Sequence, residues 1–351
     1  MSRPTLLARL VPLVNAGLVY ETGSLAASRG RPAQLIRFDD RWLRVLAVDI
    51  GHTRARVGVI DIHGRELRSR QALVDMYHSE ADATLLPLLD AGAELLAQGD
   101  PQERLVGVGT GLPAPIDPRT GRPGRMWTMP RWKDYPVTER IRQRWQVPVL
   151  LENDARALAI GEASVHTAGT LLAVKWAHGL GAGLVVDGML LGGEDGAAGD
   201  IGHIRIASDH APRCRCGQYG CVAAYASGHA LTQQLKLSSL DELVARDQAG
   251  DARVTEALTT AARHVGTVLA ALSSMLNPGS LVLGGIIGRI PTVVEAVDEQ
   301  LRRTALSAIT ATLKVTPGAL GEHAVTTGLA RKVADHVLRP DVVDAALGRA
   351  V

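Results

Sequence analysis

Apolar residues recur along this chain in two rhythms, and their alternation predicts an α/β body behind a short head. Leu46-Ala-Val-Asp-Ile50 and Arg56-Val-Gly-Val-Ile60 are strand-length apolar runs broken at Gly51. With Glu66-Leu-Arg68 after the His63-Gly64 turn they predict a three-strand meander. Residues 81–98 switch to helical spacing, with Leu85, Leu88, Leu89, Leu95 and Leu96 on one face. Leu105-Val-Gly-Val108 and Val147-Pro-Val-Leu-Leu151 read as strands, the second leading into a helix over 155–164. Leu171-Leu-Ala-Val-Lys-Trp176 and Leu184-Val-Val-Asp187 flank a glycine turn, so strand, turn and strand recur about 130 residues after the first meander, as in an internal duplication. Further helices are predicted at 226–237, 239–247, 251–276, 291–305 and 324–337, and strands over 280–283 and 311–315. The 251–276 helix carries the strongest core pattern, with Val254, Leu258, Ala261, Val265, Leu269, Leu272 and Met275 at spacings of three and four.

The head reads differently. Ser2 can N-cap a helix, Pro4 suits its first turn, and Leu6, Leu7, Leu10, Leu13 and Val14 form one apolar stripe ended by Gly17. Pro12 removes the bond to the carbonyl of residue 8 and is expected to kink this helix. Leu18-Val-Tyr-Glu21 and Gln34-Leu-Ile-Arg-Phe38 then predict two strands around a loop ending in Arg29-Gly-Arg-Pro32. Four such residues alone suit a solvated basic turn. Behind a helix they resemble the recognition helix and wing of a winged helix-turn-helix, with Arg29 and Arg31 able to enter a narrow minor groove. Charge agrees, since residues 1–44 hold seven arginines against three acidic residues in a chain of net charge +2, leaving a slightly acidic body.

At 351 residues, 46% apolar and 21% charged, the composition is that of an ordinary globular chain with room for two or three domains. It contains no apolar run of membrane-spanning length and no secretory signal pattern, so a cytoplasmic protein is expected. Thiols there stay reduced, and clustered cysteines more often hold metal than form disulfides. All three cysteines lie in Cys214-Arg-Cys216-Gly-Gln-Tyr-Gly-Cys221, eleven residues after His203. One imidazole and three thiolates are a complete tetrahedral zinc set, which predicts a closed structural site on His203, Cys214, Cys216 and Cys221.

Other stretches leave two readings open. Asp49, followed by Gly51 and Thr53, can set a carboxylate and turn amides against phosphate and metal, or can belong to a plain hairpin. Asp154 at a helix start is either an N-cap or a general base. Gly179 and Gly181 can cradle phosphate or only turn the chain. The Gly/Pro-rich loop ending Leu105–Asp117 suits a ligand edge, and 118–137 reads as irregular rim.

Taken together, Asp49-Ile-Gly-His-Thr53, Gly111-Leu-Pro-Ala-Pro-Ile-Asp117, Glu152-Asn-Asp154, Gly179-Leu-Gly-Ala-Gly183, Ala198-Gly-Asp-Ile-Gly-His203, the cysteine cluster and Leu281-Val-Leu-Gly-Gly285 resemble the ROK family of bacterial sugar kinases and sugar-responsive repressors. The resemblance runs over essentially the whole length, and the head is similar to the repressor branch. It implies a duplicated actin-like (ribonuclease-H-like) ATPase-type α/β fold preceded by a partial winged-helix segment. The division implied is 1–43 for the recognition helix and wing, 44–150 for the first actin-like half, and 151–351 for the second. That second half holds the zinc loop 199–225 and ends in a C-terminal helix that can return to the first half.

The resemblance also implies zinc as structural cofactor and a homodimer or homotetramer. Asp154 falls on the base of a kinase, and Asn153, Asp154, Asp200 and His203 fall on the sugar contacts. His203 would ligate zinc through one nitrogen and meet sugar through the other. Asp49, Gly51, Thr53, Gly179 and Gly181 fall on degenerate phosphate loops. Arg3, Thr5, Arg29, Gly30 and Arg31 would contact an A·T-rich operator in both grooves.

Several positions depart from the family pattern. Asp200 stands for a longer Glu, Ala223 for a sugar-binding Glu, and His52 for the second glycine of the first phosphate turn. Ala177-His178 stand where kinases carry Gly-Thr. Repressors of the family carry one or two helices before the recognition helix, and here the motif opens at Met1. The expected function is a transcriptional regulator of the repressor kind sensing a sugar or sugar-phosphate effector. A hexose or amino-sugar kinase using Asp154 is the alternative, disfavoured by His52, His178 and Ala223. A truncated, non-catalytic sugar- or partner-binding protein is the third reading.

Overall fold

The computed structural model describes residues 3–25, 33–124, 129–207 and 211–348. The head is helix α1 (Arg3–Asn15) and the antiparallel strands β1 (Val19–Leu25) and β2 (Ala33–Phe38). Helix α1 continues through Pro12, and Leu6, Val11 and Val14 lie exposed along it. Arg29, Gly30 and Arg31 lie outside the described residues.

The first sheet is built from β3 (Leu43–Ile50), β4 (Arg54–Asp61), β5 (Glu66–Leu73), β6 (Arg104–Leu112) and, after the short ladder β7 (Ile116–Asp117) and β8 (Arg122–Pro123), β9 (Val149–Asn153). Its order is β5-β4-β3-β6-β9, antiparallel through the meander and parallel beyond it. Helix α2 (Ala81–Ala97) covers this sheet, burying Leu85, Leu88, Leu89 and Leu95. Helix α3 (Val137–Arg142) precedes β9, and α4 (Asp154–Ala163) follows it. The second sheet repeats the plan with β10 (Thr170–Trp176), β11 (Leu180–Val186), β12 (Met189–Leu190), β13 (Ser280–Gly284) and β14 (Lys314–Pro317), in the order β12-β11-β10-β13-β14. Its first pairs are antiparallel and the others parallel. Equal order and equal strand directions in both sheets are the structural form of the repeated strand-turn-strand pattern.

Between β12 and β13 come α5 (Val222–Ala226), α6 (Gly228–Leu235), α7 (Leu240–Gln248) and α8 (Ala252–Leu276). The remainder is α9 (Gly285–Gly288), α10 (Pro291–Thr304), α11 (Ser307–Thr310), α12 (Ala324–Val337) and α13 (Pro340–Ala346). Helix α8 buries Val254, Leu258, Ala261, Val265 and Leu269 as its periodicity predicts, but Met275 is 84% exposed. The stripe runs out of core one turn before the helix ends, and Ala262, Gly266, Ala270 and Ser273 fill the buried side instead. The strand expected at 311–315 lies at Lys314–Pro317, because residues 307–310 form the short α11.

Two helices join the sheets. Helix α12, which follows β14, packs on β3 and β6 of the first sheet, and α4, which follows β9, packs on β10 and β11 of the second. Each half therefore lends its last helix to the other, and the two helices cross against one another in a shared apolar layer of Ala157, Leu158, Ala324, Val325 and Leu329. The crossing is backbone on backbone. A methyl group on Gly161 would overlap the carbonyl oxygen of Ala324, and one on Gly328 would overlap that of Ala157.

Beneath the crossing Glu152 accepts from Arg156 at 2.6 Å and from Lys332 of α12, with the Glu152 and Arg156 side chains about 5% exposed. Burial raises the Glu152 carboxyl, but Lys332 and Arg156 outweigh it and hold it below the usual range. The expected consequence is that Gly161→Ala and Gly328→Ala each cost about 3 kcal/mol, since neither carbonyl can move without shifting a helix. Urea unfolding midpoints check this, with Gly192→Ala, where an added Cβ meets open space at an ordinary φ, as the control.

Candidate functional site

A cleft of about 1660 Å³ is lined by both sheets and by α4–α8. Its walls include Asp49, His52, Thr53, Pro113, Ala114, Asn153, Asp154, Lys175, His178, Gly179, Gly181, Asp200, His203, Arg215, Ala223 and His229. The structure thus brings the predicted sugar contacts, both degenerate phosphate loops and one edge of the cysteine loop to one cavity. Gly51 sits in the first of these loops, its N–H bonded to the Arg54 carbonyl at 2.8 Å. Arg3 and Thr5 lie on α1.

Helix α4 presents its first residue to this cavity. Asn153 is the N-cap, its Oδ1 accepting from Ala155 N at 3.0 Å and Arg156 N at 3.2 Å, while its Nδ2 donates to the Ala114 carbonyl at 3.2 Å. Capping by Asn153 frees Asp154 for another partner, and that partner is Lys175. The ammonium donates to Asp154 Oδ2 at 2.7 Å and stands 3.8 Å from Asp49 Oδ1, a buried oxygen with no hydrogen-bond partner. Burial alone would lower the Lys175 pKa, yet Asp154 and Asp49 together raise it. Asp49 is pushed up, chiefly by burial, with Lys175 opposing and Asp154 adding to the rise. The two effects are consistent: one ammonium neutralises the closer carboxylate and only part of the second.

Sequence reading passed over Lys175 because a lysine inside an apolar strand reads as an edge position. Residue 175 is the last but one of β10, and only the fold brings it beside Asp49 and Asp154.

The two loops meet across the cleft through their histidines. His52 and His178 stack with ring centroids 5.0 Å apart at 28°, and His229 adds a third ring 5.4 Å from His178. Burial holds all three below the ordinary imidazole value, helped by Arg215 and by one another, with His178 brought down to about 4. They are neutral at pH 7. His52 Cε1 lies 3.7 Å from where a side chain on Gly179 would begin, so imidazole occupies the space in front of that turn.

The cysteine loop packs on the same wall. Gly199, at φ +95, brings its backbone so near Ala182 that any side chain would overlap that residue's carbonyl, and Ala182 N–H donates to Gly199 O at 2.7 Å. The 3₁₀ turn Ile201–His203 follows and sets His203 with Nδ1 3.6 Å from Cys214 Sγ and Nε2 3.9 Å from Asp200 Oδ1. Burial raises the Asp200 carboxyl. Cys216 and Cys221 sulfurs are 3.7 Å apart, and the four ligand atoms all lie within 4.8 Å of one another.

A tetrahedral zinc with sulfurs at about 2.3 Å has edges of about 3.8 Å, so this cluster fits a structural zinc site with little movement. A metal binding here has to displace the thiol protons. Burial pushes Cys214 up, and pushes Cys221 up to about 12, so without a metal they remain protonated. Ala223, on α5, faces the His203 turn where the resemblance implied a glutamate.

Duplicated mixed sheets around a cleft, with acidic and glycine turns at their strand ends and a His/Cys₃ cluster on its rim, define the class of sugar kinases and their regulators. The ROK family profile matches residues 45–335, and the chain belongs to the ROK family. It is 25% identical to the xylose repressor of Bacillus subtilis (strain 168), over 96% of this chain and 89% of that protein. It is 26% identical to a glucokinase of Halalkalibacterium halodurans, over 76% of this chain and 87% of that one. The fold matches the crystal structure of a ROK family transcriptional regulator, a homologue of the E. coli MLC protein, with a TM-score of 0.80 at 23% identity, covering 99% of this chain and 92% of that one.

Two measurements follow. Metal analysis of the reduced protein is expected to give about one zinc per chain, and chelation to lower the melting temperature and weaken ligand binding in the adjoining cleft; metal-free protein of unchanged melting temperature would refute the site. Lys175→Met is expected to cost about 2–3 kcal/mol by urea unfolding, because it leaves two partly buried carboxylates facing one another, and adding Asp154→Asn is expected to restore most of the loss.

Proposed function

We propose that this protein is a ROK-type transcriptional regulator of the repressor kind, in which the actin-like body senses a sugar effector and the N-terminal segment contacts DNA. The observation that carries this reading is the reach of the similarity. The repressor relative aligns over 96% of the chain, head included, whereas the glucokinase relative aligns over 76%. The head supports it as well: a helix followed by a two-stranded wing, in a segment with seven arginines against three acidic residues. Arg3 and Thr5 on α1 would face the major groove, and Arg29, Gly30 and Arg31 would follow the minor groove of an A·T-rich operator. The sugar would lie among Asn153, Asp154, Asp200 and His203, and zinc on His203, Cys214, Cys216 and Cys221 would hold that wall rigid. Residues 1–43, 44–150 and 151–351 would act as reader and two sensing halves, assembled as a homodimer or homotetramer.

A kinase using Asp154 as base is the second reading, favoured by the position of that carboxylate at the cleft floor and by the 26% identity to a glucokinase. Its proton-accepting oxygen is held by Lys175, and the stacked imidazoles of His52 and His178 stand where a nucleotide's phosphates would approach the glycine turns. The expected outcomes are therefore separable. In a mobility-shift titration the chain is expected to bind an A·T-rich duplex, with log K falling against log salt by about 0.9 per phosphate contacted, and to release it with the cognate sugar. No binding at low salt would overturn the regulator. In a coupled assay across hexoses and amino sugars, turnover abolished by Asp154→Ala would establish the kinase instead.

A further inference from the structure

We propose that Lys175 is a tethered cation in the place a divalent metal ion would otherwise take between Asp49 and Asp154, so that the cleft floor meets its ligands without Mg²⁺ or Mn²⁺. The inference concerns the cleft floor alone and holds whether or not the head binds DNA. It starts from the duplication. Leu46-Ala-Val-Asp49 and Leu172-Ala-Val-Lys175 are the same run with the last residue exchanged, an acid in one copy and a base in the other. Strands β3 and β10, which carry them, are the central strands of their sheets. On the parallel side Asp49 is paired with Gly111 and Lys175 with Gly284. The two residues therefore hold equivalent positions in the two halves, and their charged ends meet where the halves meet.

Asp154 arrives from a third element, as the first residue of α4. The Lys175 ammonium donates to its Oδ2 at 2.7 Å and stands 3.8 Å from Asp49 Oδ1. The root of Lys175 is fixed, since its strand is paired at this residue with Gly181 of β11 on one side and Gly284 of β13 on the other. Among the described residues no other cation forms an ion pair with either carboxylate. Arg56, across the ladder from Asp49, is committed to Glu66 at 2.6 Å and Glu322 at 3.2 Å.

Without the ammonium, two largely buried carboxylates from separate elements would converge on one point, with Asp49 Oδ1 buried and accepting no hydrogen bond. Hard divalent cations take such oxygens. A metal in contact with both would have to occupy the space of the ammonium or lie against it, and like charges at that range repel. The ammonium also has an advantage that a metal lacks: it is covalently attached, so neither dilution nor chelation removes it. One positive charge against two negative ones leaves a residual negative charge, which a variant without the ammonium would turn into a metal site. In the wild type the remaining carboxylate oxygens accept from ligand hydroxyl groups directly, with no ion between.

Titration of the zinc-loaded full chain with Mn²⁺, followed by the electron paramagnetic resonance signal of the free ion, tests this. The wild type is expected to show no Mn²⁺ binding that depends on Asp49. Lys175→Met and Lys175→Gln are each expected to gain one Mn²⁺ per chain, held about tenfold or more tightly than by the wild type, and to lose it when Asp49→Asn or Asp154→Asn is added. Lys175→Arg keeps a cation in place and is expected to behave as the wild type does. Urea unfolding is a second readout for variants of low stability: Mn²⁺ is expected to raise the midpoint of Lys175→Met and to leave the wild type and the Lys175→Met/Asp49→Asn pair unchanged. Wild-type protein that holds Mn²⁺ through Asp49 would overturn the proposal. So would Lys175→Met and Lys175→Gln proteins with neither bound Mn²⁺ nor a raised midpoint, or a gained ion that survives Asp49→Asn or enters by displacing zinc. None of these readouts involves DNA, so failure here and failure of the regulator reading in the mobility shift are distinguishable.

Discussion

The molecule depends on one close approach, the crossing of α4 and α12 at Gly161 and Gly328. Because each helix meets the other's carbonyl oxygens without an intervening side chain, the two sheets are held at a separation set by backbone geometry rather than by adjustable packing. That separation fixes where the N-terminus of α4 emerges. Asp154 is its first residue, so the deepest carboxylate of the cleft is placed by a contact some two helical turns away. The charged cluster of Glu152, Arg156 and Lys332 lies beneath the same crossing and links β9, α4 and α12. Arg156 continues outward to the Gly192 carbonyl, so the strand leading into α4 and the glycine-rich loop before the cysteine wall share one guanidinium.

Electrostatics inside the cleft follow from that placement. Two carboxylates from different elements, Asp49 at the end of β3 and Asp154 at the start of α4, would repel in a partly buried site. Lys175 on β10 removes most of the repulsion and in doing so ties the first sheet to the second. An acidic pair of this kind would otherwise suit a divalent cation or a proton transfer. With an ammonium already between them, the floor is electrically settled and the basic character of the cleft shifts to Arg215 and the imidazoles above it.

Sequence patterns carried most of this architecture, for identifiable reasons. Strands β3, β4, β10, β11 and β13 are short apolar runs bounded by glycine, and the duplicated order made the second sheet readable from the first. The His203–Cys221 cluster was legible because metal sites demand specific atoms at short loop lengths. The helix expected at 226–237 is α6, while α5 is not foreseen because five residues directly after the cysteine loop are too few to show a period; Ser227, in extended conformation, ends one helix and caps the next. Lys175 and the contact of Arg215 with His178 were not legible. Both depend on residues far apart in sequence, and a single lysine or arginine carries no spacing signal. Asp154 lies at the expected helix terminus, but the capping offered as its ordinary role is performed by Asn153.

The head is joined to this body by a few polar contacts. Arg104, the first residue of β6, donates to the carbonyls of Ala16 and Gly17 at 3.0 and 2.9 Å, capping the C-terminal end of α1. Arg41 lies 4.3 Å above the Tyr20 ring, and Asp39 N–H donates to Leu18 O at 2.8 Å. Strand β6 is hydrogen-bonded on both sides, by β3 and β9, and its far end runs into Pro113 and Ala114 on the cleft wall, where Ala114 accepts from Asn153. A strand paired along both edges moves as a unit with its sheet. The same element therefore holds the head's helix at one end and touches the cleft at the other. A ligand that bound two arrangements of the halves with different free energy would shift one against the other, and through β6 and Arg104 such a shift would reach the head helix.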